Sequence, residues 1–268
     1  MKVYKKDFLL SIVMMGMMGT PMEAFAMEAA AQEAIVWQGN VLSPYCFDEI
    51  NPLENPPEPI LKTAITTCQK NGAKIDSDGW VNMDYPEGGY TSYKVISHDK
   101  NAYLVETEVS GGGSGRFSNV MKVNVDGDEL KLVKRYSRGD RCNGGVHSAE
   151  FQDGKVYISY NITPADFYWV AYEKKGEEAG NQGLEGSAQS CFAFARYEEG
   201  EGLISVELNP NAIEDDSWGE SRFPAQKCFN NLFANQIKKT THLSKEEFKE
   251  FVGNVMSACK INVSKGKS

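Results

Sequence analysis

The chain has 268 residues, with 28 lysines and arginines against 37 aspartates and glutamates, and a formal net charge of −9 at pH 7. This acidic balance disfavours nucleic acid and anionic membranes as partners, since both repel negative charge. At 41% hydrophobic and 24% charged residues, the composition is that of a folded chain with its own core, not a disordered or membrane-embedded one.

Residues 1–26 read as a secretory signal peptide. Lys2, Lys5 and Lys6 precede an apolar run over 8–19, and Ala24-Phe25-Ala26 offers small residues for cleavage. A bilayer span needs about 20 apolar residues, and neither this run nor any later stretch reaches that. The mature chain is therefore expected to lack an integral membrane segment and to be secreted or periplasmic. No cysteine precedes Cys46, so the signal is not of the lipoprotein kind.

Cys46, Cys68, Cys142, Cys191, Cys228 and Cys259 make an even set, which in an exported chain reads as disulfides. They contain no C-x-x-C pair and are widely dispersed, so no metal site is expected. No cofactor motif is present, and no cofactor is expected.

Residues 27–59 are a Pro-rich N-terminal segment, of which 27–45 begin with a Glu/Ala stretch and look loosely ordered. The segment closes on Pro52, Pro56, Pro57 and Pro59, which favour stiff, extended chain. A single domain is expected over 60–268. Leu61, Ala64, Ile65 and Cys68 share one helical face and Asn71-Gly72 is a stop, so the spacing predicts a helix over 60–72. Cys68 on its buried face suggests a bridge to Cys46.

From 80 to 208 the period is two. Apolar alternation and turn residues predict strands over 90–97, 102–109, 117–125, 129–136, 146–151, 155–161, 190–197 and 203–208. Asp126-Gly127 and Asp153-Gly154 are the strongest hairpin signals. Successive hairpins imply an antiparallel meander. Thr163-Pro164-Ala165-Asp166 interrupts it as a capped helix start, with a short helix running through Trp169 and Tyr172. Residues 173–187, rich in Gly and Glu, read as an exposed loop.

Residues 223–260 predict a helical hairpin. Pro224 opens the first helix. Ser244 and Glu247 form a capping box on the second, with Leu243 and Phe248 at the staple positions. Antiparallel helices bring Cys228 near Cys259, which leaves Cys142 to pair with Cys191. The fold class expected is α+β: an antiparallel β meander with a short N-terminal helix and a disulfide-stapled C-terminal helical hairpin.

Two segments are candidate ligand-binding loops. Over 135–147, Arg138, Arg141 and Asn143 suit a carboxylate or phosphate, because guanidinium donors match planar anions. The competing reading is a disulfide-anchored connection in which Asp140 pairs with an arginine and Asn143-Gly144-Gly145 turns the chain. Arg138-Gly139-Asp140 is also an integrin-type tripeptide, though three residues recur by chance. Over 111–116, Gly112, Gly113, Ser114 and Arg116 allow close backbone approach to a ligand. The segment lacks the Lys-Ser/Thr ending of a P-loop and reads equally as a hairpin loop needing positive φ.

Of three histidines, His147 beside Asp140 and Glu150 is the one candidate general base, with Ser114 or Ser148 as conceivable nucleophiles. Trp80, Tyr85, Tyr90, Tyr168 and Trp169 lie in or near predicted loops and suit a sugar or partner surface as well as ordinary packing. The functional expectation is an exported binding or inhibitor-like protein of the cell envelope. It would recognise an envelope protein or a small ligand through 111–116 and 138–147. The alternative is a periplasmic hydrolase using His147 with a nearby Asp or Ser.

Overall fold

Alternating burial along 62–140 builds a seven-stranded antiparallel sheet, and along 146–244 a five-stranded one. The computed structural model describes residues 34–52, 60–173, 183–187, 189–213 and 223–261. The signal peptide expected over 1–26, Pro56, Pro57, Pro59 and most of the loop expected over 173–187 lie outside the described residues.

In chain order, β1 (Val36–Trp37) and β2 (Asn40–Val41) form a small hairpin, followed by α1 (Tyr45–Ile50). β3 (Lys62–Ala64) runs into α2 (Ile65–Cys68). Then come β4 (Lys74–Ile75), β5 (Val81–Asp84), β6 (Tyr90–Asp99), β7 (Ala102–Ser110), β8 (Phe117–Asp126) and β9 (Glu129–Asp140). The large sheet has the order β3-β9-β8-β7-β6-β5-β4. β10 (Val146–Gln152) and β11 (Lys155–Ile162) start the small sheet. A 3-10 turn (Pro164–Asp166) leads into α3 (Phe167–Tyr172). β12 (Ala193–Glu198) and β13 (Gly202–Leu208) continue the small sheet. α4 (Pro224–Ile237), β14 (His242–Ser244) and α5 (Lys245–Ala258) close the described chain. The small sheet is a plain meander, β10-β11-β12-β13-β14. The architecture is mixed α+β with antiparallel sheets.

Three apolar clusters join these layers. On one face of the large sheet, Tyr93, Val105, Met121, Val123 and Leu130 bury against Ile35, Leu42, Cys46, Phe47 and Ile50. Its other face, through Leu104 and Val120, meets Val156 and Ile158 of the small sheet. The same face of the small sheet, farther along, packs Ala193, Ala195, Val206 and Leu208 against Phe167, Phe229, Phe233, Phe248 and Val252 of α3, α4 and α5.

The expected helix over 60–72 is instead a strand and a single helical turn. Thr63 is β-branched and favours extended backbone, and β-branched Ile65, Thr66 and Thr67 are weak helix formers, which fits a helix of one turn. The open edge of β9 then captures β3, pairing Lys62 with Lys131 and Ala64 with Glu129. Of residues 27–45, expected to be loosely ordered, the described part 34–45 is built into the fold. Gln38-Gly39 turns the β1–β2 hairpin at φ 48° and 80°, and Ile35 and Leu42 are fully buried. The Trp37 indole N–H donates to Gly127 O at 3.2 Å, which pins the hairpin to the β8–β9 turn. That turn is Gly127-Asp128, one residue later than expected, because Asp126 pairs with Glu129.

Local chemistry fixes the helix starts. The Thr163 hydroxyl and backbone N–H both donate to Asp166 Oδ2, at 2.7 and 2.8 Å. Ser244 N–H donates to Glu247 Oε2 at 2.8 Å, and Glu247 N–H donates back to Ser244 Oγ at 3.3 Å. The linker between α4 and α5 is not a bare loop, since β14 adds to β13 and pairs Leu243 with Val206.

The disulfides are Cys46–Cys68, Cys142–Cys191 and Cys228–Cys259, with no free cysteine. The first ties α1 to α2, the second joins the turn before β10 to the start of β12, and the third spans α4 and the end of α5. Replacing both Cys228 and Cys259 by Ala is expected to lower stability by about 2–4 kcal/mol, read from urea unfolding of the oxidised protein.

Candidate functional site

The two neighbours of the small sheet, the large sheet and α3, cover different parts of its apolar face and part company between them. The gap is a cleft of about 850 Å³. Its floor is Val156, Ile158, Tyr160, Ile162 and Tyr197. These share a face because Tyr197 pairs directly with Ile158 across β11 and β12. Lys134 and Tyr136 of β9 form one wall, and Asp166, Trp169 and Glu173 the other. Glu198, Glu199, Gly200 and Gly202 of the β12–β13 turn, with Asn143 and Gly144, complete the rim.

Almost every charge at this rim already holds a partner. Lys134 Nζ lies 2.5 Å from Glu199 Oε1 and 4.6 Å from the centre of the Tyr136 ring. The Tyr136 hydroxyl donates to the same carboxylate at 3.1 Å, and Lys134 holds Glu199 below the usual carboxylate range. Glu198 pairs with Lys155, and Glu173 with Lys245 at 2.6 Å. Asp166 accepts from the Thr163 cap and from the Trp169 indole N–H at 3.0 Å. That bond fixes the indole edge and turns the ring into a wall. The Tyr197 hydroxyl forms no hydrogen bond among the described residues. Burial, then the nearby Glu173, pushes its pKa up, so it stays a neutral donor.

Gly111–Arg116 and 138–147 are brought together, but not into this cleft. β8 pairs with β9 so that Phe117 faces Asp140. Arg116 N–H donates to Asp140 Oδ1 at 2.9 Å, and Arg141 N–H to Arg116 O at 3.1 Å. The Arg116 guanidinium binds Glu108 at 2.8 Å and the Tyr90 hydroxyl at 3.0 Å. The Arg141 guanidinium binds Asp140 at 3.1 Å. Arg138 pairs by its backbone with Asn119 in β9, and its side chain lies outside the described part. Of this set only Asn143, with Gly144, reaches the cleft.

The glycines serve backbone packing. A Cβ on Gly89 would sit 2.2 Å from Ser110 O and 2.5 Å from Gly112 N, and one on Gly112 3.2 Å from Gly88. Gly113 and Ser114 are exposed at the tip. A Cβ on Gly139 would sit 2.0 Å from the Gly144 carbonyl carbon, and one on Gly145 2.3 Å from Arg141 O.

His147 is the extra residue of a bulge between the Val146–Tyr160 and Ser148–Ser159 pairs. Its ring stacks on Phe194 at 3.8 Å. Burial lowers its pKa, with Glu207 opposing. It forms no hydrogen bond to a serine or carboxylate among the described residues, and Asp140 is held by Arg116 and Arg141. His147 and Ser148 line a second cleft of about 550 Å³ with Trp80, Lys94, Glu106 and Glu150. Among the described residues no group of three or more His, Cys, Asp or Glu is placed to hold a metal ion.

Trp169 was legible in the sequence as a surface aromatic. Tyr136, Tyr160 and Tyr197 were not, because inside strands they read as ordinary alternation. Their signal is that all three flank acidic or turn-rich segments, which says nothing of which face they share. No protein-family model, curated protein or solved structure matches this chain.

Gly89 has φ +91°, so Gly89→Ala combines backbone strain with a clash against Ser110. A loss of more than about 2 kcal/mol is expected in thermal unfolding. Burial pushes the Glu106 carboxyl up to about 7 from 4.5, with Glu108 adding and Lys94 opposing. The folded state therefore holds this proton more tightly than the unfolded chain. The resulting stability is fully present below pH 4.5 and is lost as pH rises through about 7. Glu106→Gln has no such proton. Between about pH 5 and about pH 8 its urea-unfolding stability should fall less than that of the parent, by about 1–3 kcal/mol.

Proposed function

We propose that the chain is exported, with cleavage after Ala26, and acts outside the cytoplasmic membrane as a binding protein that holds a small ligand in the aromatic cleft. Three disulfides with no free cysteine favour an oxidising compartment. Among the described residues no helix is long and apolar enough to cross a membrane.

The observation that carries the binding reading is the cleft itself: about 850 Å³, lined by Tyr136, Tyr160, Trp169 and Tyr197, with the Tyr197 hydroxyl without a hydrogen bond among the described residues. Small-molecule sites combine this size, an apolar lining and a few convergent polar groups. Loop 138–147 contributes Asn143 from its disulfide-anchored turn. Arg116 and Arg141 spend their donors on Glu108, Tyr90 and Asp140, which leaves loop 111–116 as support for that turn. The hydrolase reading needs His147 hydrogen-bonded to an acid or a serine, and the Phe194 stack gives it neither.

NMR screening of a fragment library against the oxidised protein tests this. Hits are expected to shift the Trp169 indole N–H and to weaken in Trp169→Ala. Hits centred on Gly111–Arg116 would move the function to that loop. Hydrolysis of an ester library that disappears in His147→Ala would favour the enzyme instead.

A further inference from the structure

We infer that the cleft takes an uncharged ring compound, apolar over most of its body and carrying a hydroxyl that meets Tyr197; this rests on the cleft being a binding site. The charge arrangement disfavours the two ionic classes. An anion would face Asp166, Glu173, Glu198 and Glu199, with Lys134 as the one cationic side chain in the lining. At three of these carboxylates a cation would have to displace a lysine already in place. Lys134 holds Glu199 at 2.5 Å, Lys245 holds Glu173 at 2.6 Å, and Lys155 holds Glu198. Asp166 is committed to the Thr163 cap and to Trp169. The Tyr136 face already carries the Lys134 ammonium.

A polyhydroxylated ligand fits no better. Each hydroxyl stripped of water needs a partner inside, and an unmade hydrogen bond costs about 1–3 kcal/mol. The Tyr136 hydroxyl and the Trp169 N–H are already used. Among the described residues Tyr197 Oη and the Asn143 side-chain amide are the neutral side-chain donors of the lining with no hydrogen bond, too few for the acceptors of a sugar ring. The rest of the floor, Val156, Ile158 and Ile162, offers nothing but apolar contact. Aromatic walls, a largely apolar floor and one open tyrosine hydroxyl match a flat hydrophobic ring with a single polar substituent.

A charge series on one ring skeleton tests this: 2-naphthol, 2-naphthoate and 2-naphthylmethylammonium, with maltotriose as the polyol, titrated into the oxidised protein at neutral pH and followed by NMR. The naphthol is expected to bind at least about tenfold more tightly than either ion, since a buried unpaired charge is costly. Maltotriose is expected not to saturate the site. Tyr197→Phe deletes an oxygen that holds no internal hydrogen bond, so the fold should survive. It should weaken 2-naphthol about three- to tenfold, the worth of one hydrogen bond, and leave 2-methylnaphthalene within about twofold. An ion or maltotriose binding as well as the naphthol, or equal losses for both neutral rings in Tyr197→Phe, would overturn the ligand class and leave the binding reading standing. No perturbation of Trp169 by any of the five compounds would remove both.

Discussion

The apolar face of the five-stranded sheet is the surface on which everything else depends. Val156 and Ile158 at one end meet Leu104 and Val120 of the large sheet. Ala193, Ala195, Val206 and Leu208 at the other end meet the phenylalanines of α3, α4 and α5. Burial of apolar area is worth roughly 25 cal/mol per Å², so one face serving two layers is a strong reason for both to dock. The two layers differ in shape, a twisted sheet and a helix bundle, and they diverge between their contacts. The cleft is the space left by that divergence.

Polar contacts then hold the cleft's shape. Lys134 and Tyr136 reach from the large sheet to Glu199 in the β12–β13 turn, crossing from one sheet to the other. Lys245 of α5 reaches Glu173 just after α3. The Thr163–Asp166–Trp169 chain of hydrogen bonds orients the indole. Exposed ion pairs contribute little stability individually, typically about 0–1 kcal/mol. Their larger effect here is electrostatic: Lys134, Lys155 and Lys245 offset Glu199, Glu198 and Glu173, which leaves Asp166 as the one rim carboxylate held by neutral donors alone.

The charged loops that stand out most in the sequence are self-satisfied in the structure. Asp140 accepts from the Arg116 backbone and the Arg141 side chain, and Glu108 takes Arg116. Gly139 and Gly145 let two backbone turns lie closer than any Cβ allows. Rigid backbone packing, a disulfide at Cys142 and paired arginines make a firm corner, and that corner presents Asn143 to the cleft.

Local signals with a short reach were readable from the chain alone. The capping boxes at Thr163 and Ser244, the Asp153-Gly154 hairpin and the two-residue alternation through 90–208 depend on neighbours within a few residues. The cysteine pairs followed from helix faces and elimination. The 60–72 segment misled because its apolar spacing fits a helix, while the edge that captures Lys62–Ala64 belongs to β9, more than sixty residues away. The same distance hid the site. Alternation says that Tyr160 and Tyr197 each point to some face of a strand. Only the β11–β12 register puts them on one face, and only the separation of the large sheet from α3 leaves that stretch uncovered. Sequence fixes what is local because hydrogen bonds and dihedrals act between neighbours. The cleft arises from packing between layers, so the tertiary structure alone decided it.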